Sequence, residues 1–167
     1  MKFSSIIFDM DGTLMDSHKD IAAALNYART SYGYDELSTK DVLPMIGNGV
    51  VHLVTEGFRG TNISIEEATA RVKDYYGQNP CIHTKLYPQV KETLHQLKAL
   101  HIDLHIVSNK PSELLAGVLK ALNIDSYFKM LIGGDDMPKR KPHPMSVDAI
   151  LAEHPCKREE VLMVGDM

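Results

Sequence analysis

Short apolar runs recur along the chain, and each stops abruptly at small or polar residues. Ile6-Ile7-Phe8 runs into Asp9-Met10-Asp11-Gly12-Thr13, and Leu104-His105-Ile106-Val107 into Ser108-Asn109. Met130-Leu131-Ile132 is followed by Gly133-Gly134-Asp135, and Val161-Leu162-Met163-Val164 by Gly165-Asp166. Near-continuous apolar runs of this length are the pattern of parallel strands buried on both faces. Helical patterns lie between them. Residues 90–100 place apolar side chains at helical spacing, and 112–122 opens behind Pro111 and Ser112, which suit a helix start. Strand and helix in alternation predict an α/β fold with a parallel sheet and right-handed crossovers.

Residues 16–85 follow a different pattern. Helical spacing is found over 21–32, 40–46, 49–58 and 65–76, with no strand run between them. The expectation is an all-helical insert placed directly after the first strand, with Pro88 marking the return to the sheet. The division is therefore 1–15 with 86–167 for the α/β core, and 16–85 for the insert.

Composition narrows the function. The hydrophobic share of 44% and charged share of 24% are those of a soluble globular chain, and a net charge of −4 gives no electrostatic case for nucleic acid or an anionic membrane. No stretch approaches the roughly 20 apolar residues of a membrane span. The apolar start is interrupted by Asp9 before it reaches signal-peptide length. Cys81 and Cys156 fit no metal spacing and read as reduced thiols of a cytoplasmic protein.

In open parallel sheets, ligands bind beyond the carboxyl ends of the strands, so the polar residues after the four runs converge on one crevice. Asp9 and Asp11 stand two positions apart; if the strand persists through Asp11, both point to the same side. Like charges so close need a neutralising cation, and a hard, oxygen-seeking ion such as Mg2+ serves. On a phosphate ester, one carboxylate attacks phosphorus while the other protonates the leaving oxygen and then activates water. Gly12 permits a tight turn and Thr13 can hold the loop; Asp-Gly is equally the composition of a plain turn. Ser108 can hydrogen-bond a phosphoryl oxygen, although Ser108 and Asn109 also suit helix capping. In Lys139-Arg140-Lys141-Pro142-His143-Pro144, one lysine can neutralise nucleophile and phosphate together; a solvated basic loop has the same composition. His143 reads as structural. Asp166 is a further candidate metal ligand or a turn acid, and Asp135-Asp136 reads as a turn. Gly47-Asn48-Gly49 in the insert suits either a backbone approach to substrate or a turn before a helix.

These four segments, in this order and each after an apolar run, resemble the haloacid dehalogenase superfamily. Three features resemble its phosphoglycolate phosphatase branch: the helical insert between the first and second motifs, Ile46-Gly47-Asn48-Gly49-Val50, and Lys141-Pro142-His143-Pro144. The resemblance implies a three-layer Rossmann-like core with a helical cap, and a magnesium-dependent phosphatase of a small phosphorylated metabolite, 2-phosphoglycolate in particular. It implies Asp9 as nucleophile and metal ligand, and Asp11 as acid and base with its backbone carbonyl on the metal. Ser108 and Lys141 would hold the phosphoryl group, and Asp166 would complete the metal site. Thr13, Asn109, Gly47, Asn48 and Gly49 are the candidate substrate contacts. An acid two residues after the nucleophile favours a phosphatase over a dehalogenase. Only Lys40 and Lys73 stand open as Schiff-base lysines of a phosphonatase. The family's fourth motif continues to a second acid that has no counterpart before Met167. The expectation is a shortened sheet with exposed apolar surface, prone to self-association. A catalytically weak fragment, a phosphosugar mutase and a pyrophosphatase are the alternatives.

Overall fold

The computed structural model describes residues 3–166. The chain enters the sheet with β1 (Ser5–Phe8) and leaves it through a short strand, β2 (Met15–Asp16). The insert then contributes α1 (His18–Ser31), α2 (Thr39–Val42), α3 (Val50–Gly57) and α4 (Ile65–Gln78). A second short strand, β3 (Lys85–Leu86), leads back to α5 (Val90–Ala99), β4 (Asp103–Val107), α6 (Ser112–Ala121) and β5 (Met130–Ile132). Finally come α7 (Met145–Glu153), a helix beyond those the pattern predicts, and β6 (Val161–Val164).

The sheet order is β5-β4-β1-β6, with every pair parallel. Phe8 lies opposite both Ile106 and Val164, so the loops after β1, β4 and β6 leave the sheet side by side. Alternation of side chains across the pleat explains why apolar residues occupy successive strand positions. Ile6, Phe8, Leu104 and Ile106 join one core with Leu94 of α5 and Leu115 and Leu119 of α6. Ile7, Val107 and Ile132 face the other way and pack on Ile150 of α7. His105 shares that second face. It is wholly buried, and among the described residues neither ring nitrogen has a hydrogen-bond partner. Burial, then the neighbouring His154, lowers its pKa to about 4, so it packs as a neutral ring. At the β6 edge of the sheet, Met163 is exposed.

The insert does not form a core of its own. Leu25, Val54, Phe58, Val72 and Tyr76 belong to the same buried cluster as the α5–α6 face of the sheet. Two details differ from the sequence expectation. The predicted helix over 40–46 gives way after Val42 to a 3₁₀ turn at Leu43–Met45, where Pro44 cannot donate to the helical ladder. The insert is also bounded by strands: Met15 pairs with Leu86 and Asp16 with Lys85, antiparallel. Asp20, in the first turn of α1, fastens this junction. Its buried carboxylate accepts the Thr84 N–H at 2.8 Å, the Thr84 hydroxyl at 2.6 Å, and the His83 N–H.

Candidate active site

The strand does not persist through Asp11. β1 ends at Phe8, and Asp11 sits in an isolated bridge with Met15. The pleat therefore does not orient the two carboxylates; their individual hydrogen bonds do. The Asp9 N–H is the last to pair across the sheet edge, donating to the Val164 carbonyl at 2.8 Å. Asp9 is only 6% exposed. Its Oδ1 accepts the Met10 N–H at 2.7 Å, and its Oδ2 lies 2.5 Å from Lys141 Nζ. Burial pushes the Asp9 carboxyl above the usual carboxylate range; Lys141 and the Met10 N–H pull against that shift without cancelling it.

Asp11 is held from other directions. Its Oδ1 accepts the Ser17 hydroxyl at 2.5 Å and lies 3.3 Å from Lys110 Nζ. Gly12, at φ +81°, makes the turn between Asp11 and Thr13, and a Cβ there would collide with the Asp166 carboxylate. Thr13 commits its hydroxyl to Asp166 Oδ1 at 3.1 Å, tying the loop to the end of β6.

Three consecutive residues leave β4 toward the same place. Ser108 is buried, and its hydroxyl oxygen accepts the Lys110 N–H at 3.2 Å. Asn109 spends its amide N–H groups on two carbonyls, Gly47 at 2.9 Å and Lys141 at 3.3 Å. It therefore fastens the insert loop to the loop that carries Lys141. Lys110 extends its ammonium to Asp11 and to the Tyr76 hydroxyl of α4, at 3.1 Å. Sequence reasoning singles out neither Lys110, Tyr76 nor Ser17. Nothing local marks a lysine after Ser-Asn as buried; here it is enclosed between Asp11 and Tyr76 of α4.

Asp9, Asp11, Ser108, Asn109 and Lys110 form the floor of a chamber between the sheet and the insert. Gly47, Gly49 and apolar residues, Ile21, Leu53 and Val72 among them, close it from the insert side. Asn48 is exposed and, like Lys40 and Lys73, does not line it. Lys139 is exposed on the basic loop, whose Lys141–Pro142 peptide is cis. Other polar residues of the strand ends are structural. His143 Nδ1 accepts the Met145 N–H, Asp135 caps Ser112, and Asp136 accepts the Gly133 N–H.

Among the described residues, no three His, Cys, Asp or Glu side chains gather as a metal cluster. Instead, two carboxylates flank the first loop: that of Asp9 at its start and that of Asp166 packed against Gly12. An all-oxygen set of this kind fits a hard divalent cation that keeps several waters.

The model of the haloacid dehalogenase-like hydrolases matches residues 6–167. The phosphoglycolate phosphatase of Haemophilus influenzae (strain 86-028NP) is 35% identical over 174 residues, covering 99% of this chain and 78% of that protein. The phosphoglycolate phosphatase of Aquifex aeolicus (strain VF5) is 39% identical over 164 residues, covering 96% and 75% respectively. Among solved structures, "a predicted phosphoglycolate phosphatase" from Haemophilus somnus 129pt superposes with a TM-score of 0.94 at 32% identity, over 99% of this chain and 78% of that one. Among the described residues, no helix is long and apolar enough to cross a membrane.

Proposed function

The chain belongs to the haloacid dehalogenase-like hydrolase family and is a phosphoric monoester hydrolase; from that premise we propose that it hydrolyses 2-phosphoglycolate through an aspartyl phosphate on Asp9. The observation that carries this reading is the chamber floor, where two carboxylates with different partners meet a hydroxyl and the Lys110 ammonium, with the Lys141 ammonium paired to Asp9. Asp9 Oδ attacks phosphorus, and the bond from phosphorus to the leaving oxygen breaks. Lys141, already on Asp9, offsets the charge that gathers as the anionic ester approaches an anionic nucleophile. Asp11 gives the leaving oxygen its proton, then takes one from the water that opens the aspartyl phosphate and restores Asp9. Ser108 stands beside them, and among the described residues its hydroxyl donates no hydrogen bond, which leaves its proton for a phosphoryl oxygen. Residues 16–85 act as a cap, and the apolar wall from Ile21, Leu53 and Val72 keeps bulk water from the intermediate.

Mg2+ is the cofactor in this reading, held by the Asp9 carboxylate, the Asp11 carbonyl and Asp166. When bound, it screens the negative charge shared by nucleophile and phosphate. The free, half-buried thiols of Cys81 and Cys156 suit a reducing, cytoplasmic setting. The test is phosphate release from 2-phosphoglycolate and from 4-nitrophenyl phosphate, with Mg2+ and with EDTA. Turnover of 2-phosphoglycolate that stops on chelation and returns with Mg2+ is expected. Full activity in EDTA would remove the cation from the mechanism, and release from the aryl ester alone would remove 2-phosphoglycolate as substrate.

A further inference from the structure

Lys110 is 8% exposed, and a buried ammonium is rare unless it is paired. Its partners come from opposite sides of the chamber. On the core side, Nζ lies 3.3 Å from Asp11 Oδ1. On the insert side, it lies 3.1 Å from the Tyr76 hydroxyl and 4.3 Å from that ring's centroid. Tyr76 is 3% exposed, and its hydroxyl has no other hydrogen bond among the described residues. One side chain thus spans the acid–base carboxylate, the end of β4 and the last turn of α4.

The second partner of Asp11 sharpens the point. Ser17 stands between β2 and α1, at the junction through which the chain enters the insert, and it contacts the same oxygen, Oδ1. Both holds on Asp11 therefore depend on where the insert sits, and among the described residues both fall on Oδ1 rather than Oδ2. Asp9 differs: Met10 and Lys141, its two partners, belong to the loops of the sheet.

We propose that Lys110 is a positioning residue through which Tyr76, and so the docked cap, holds Asp11 in line with the leaving oxygen of the substrate. This rests on the phosphatase reading above. An ammonium has three donors on a flexible four-carbon stem, so its position is set by its partners. With Tyr76 seated, two of those donors are fixed and the Asp11 carboxylate has one orientation. With the cap lifted, Nζ loses one anchor, water enters, and Asp11 is free to turn. The acid is then assembled only when the chamber is closed, while the nucleophile is ready in either state.

The test uses the 167-residue chain and the variants Lys110→Met, Tyr76→Phe and the double substitution. The readout is kcat/KM, which covers the steps up to leaving-group departure. Glycolate leaves 2-phosphoglycolate through an alkoxide oxygen that needs a proton; 4-nitrophenolate leaves without one. The expected result is a loss of about 30-fold for Lys110→Met and about 5-fold for Tyr76→Phe on 2-phosphoglycolate, with less than about 3-fold on the aryl ester. The double variant should be no worse than Lys110→Met, because Tyr76 acts through the lysine. Equal losses on both esters, additive losses in the double variant, or no loss at all would overturn the proposal. Hydrogen exchange of the α4 amides tests the tie without turnover. Faster exchange in Lys110→Met supports it, and unchanged exchange overturns it. If the unsubstituted chain released phosphate from neither ester, the phosphatase reading would fall while the exchange result still decided whether Lys110 holds the cap.

Discussion

Asp9 and Asp11 stand two residues apart, yet they belong to different regions of the molecule. Asp9 is fixed by its own neighbour's N–H and by Lys141, all within the loops that leave the sheet. Asp11 is fixed by Ser17 at the junction and by Lys110, which in turn meets Tyr76 of the insert. On the proposed mechanism, the attacking group is built by the core alone, whereas the proton-transferring group is completed by the insert. A carboxylate that must only attack profits from rigidity. One that must work once the substrate is enclosed profits from a partner that arrives with the lid.

The sharpest way to break this comparison is Asp9→Asn. Turnover of both esters should fall by at least about 10⁴-fold, since no neighbouring group replaces the nucleophile. Retained hydrolysis by the purified variant would move the nucleophile elsewhere. Asp11→Asn should separate the two roles: a loss of about 10²–10⁴-fold on 2-phosphoglycolate, and a markedly smaller one on 4-nitrophenyl phosphate. Equal loss on the two esters would mean that Asp11 does more than move protons. Lys141→Met should cost about 10²-fold on both esters alike, because it compensates charge at the nucleophile whatever the leaving group. An ester-selective loss there would erase the contrast between the two lysines.

The smallest effect is on stability. The Asp9 carboxyl titrates above its unfolded value, so burying its charge works against the fold. The contribution of the protonated form is fully present below about pH 4 and is lost as pH rises through the folded pKa. Without divalent cations, Asp9→Asn should therefore melt higher than the parent at pH 7, and the advantage should vanish in acid. Thermal unfolding at the two pH values measures this, and a variant less stable at pH 7 would show that Lys141 outweighs the burial.

Much of this was legible along the chain. The four apolar runs became the four strands of the parallel sheet, since a strand buried on both faces leaves a continuous apolar signature that no surface element shares. The residues after them converge because parallel strands all end on one side. Other readings failed for local reasons. The pleat could not orient Asp11 once β1 ended at Phe8, and Pro44 shortened the second insert helix. Two-residue strands such as β2 and β3 are too short to leave any period in the pattern.

The chain's own pattern settles the sheet, the helical insert and the set of polar residues at the strand ends, because each depends on neighbours a few positions away. The partners of Asn109 and Lys110 depend on something else. Asn109 meets Gly47 across 62 positions, and Lys110 meets Tyr76 across 34. No periodicity encodes which face of α4 docks over the end of β4, or that a lysine following Ser108-Asn109 is buried rather than solvated. That follows from packing the insert against the sheet in one shared core, and it is this packing that gives Asp11 a partner different from that of Asp9.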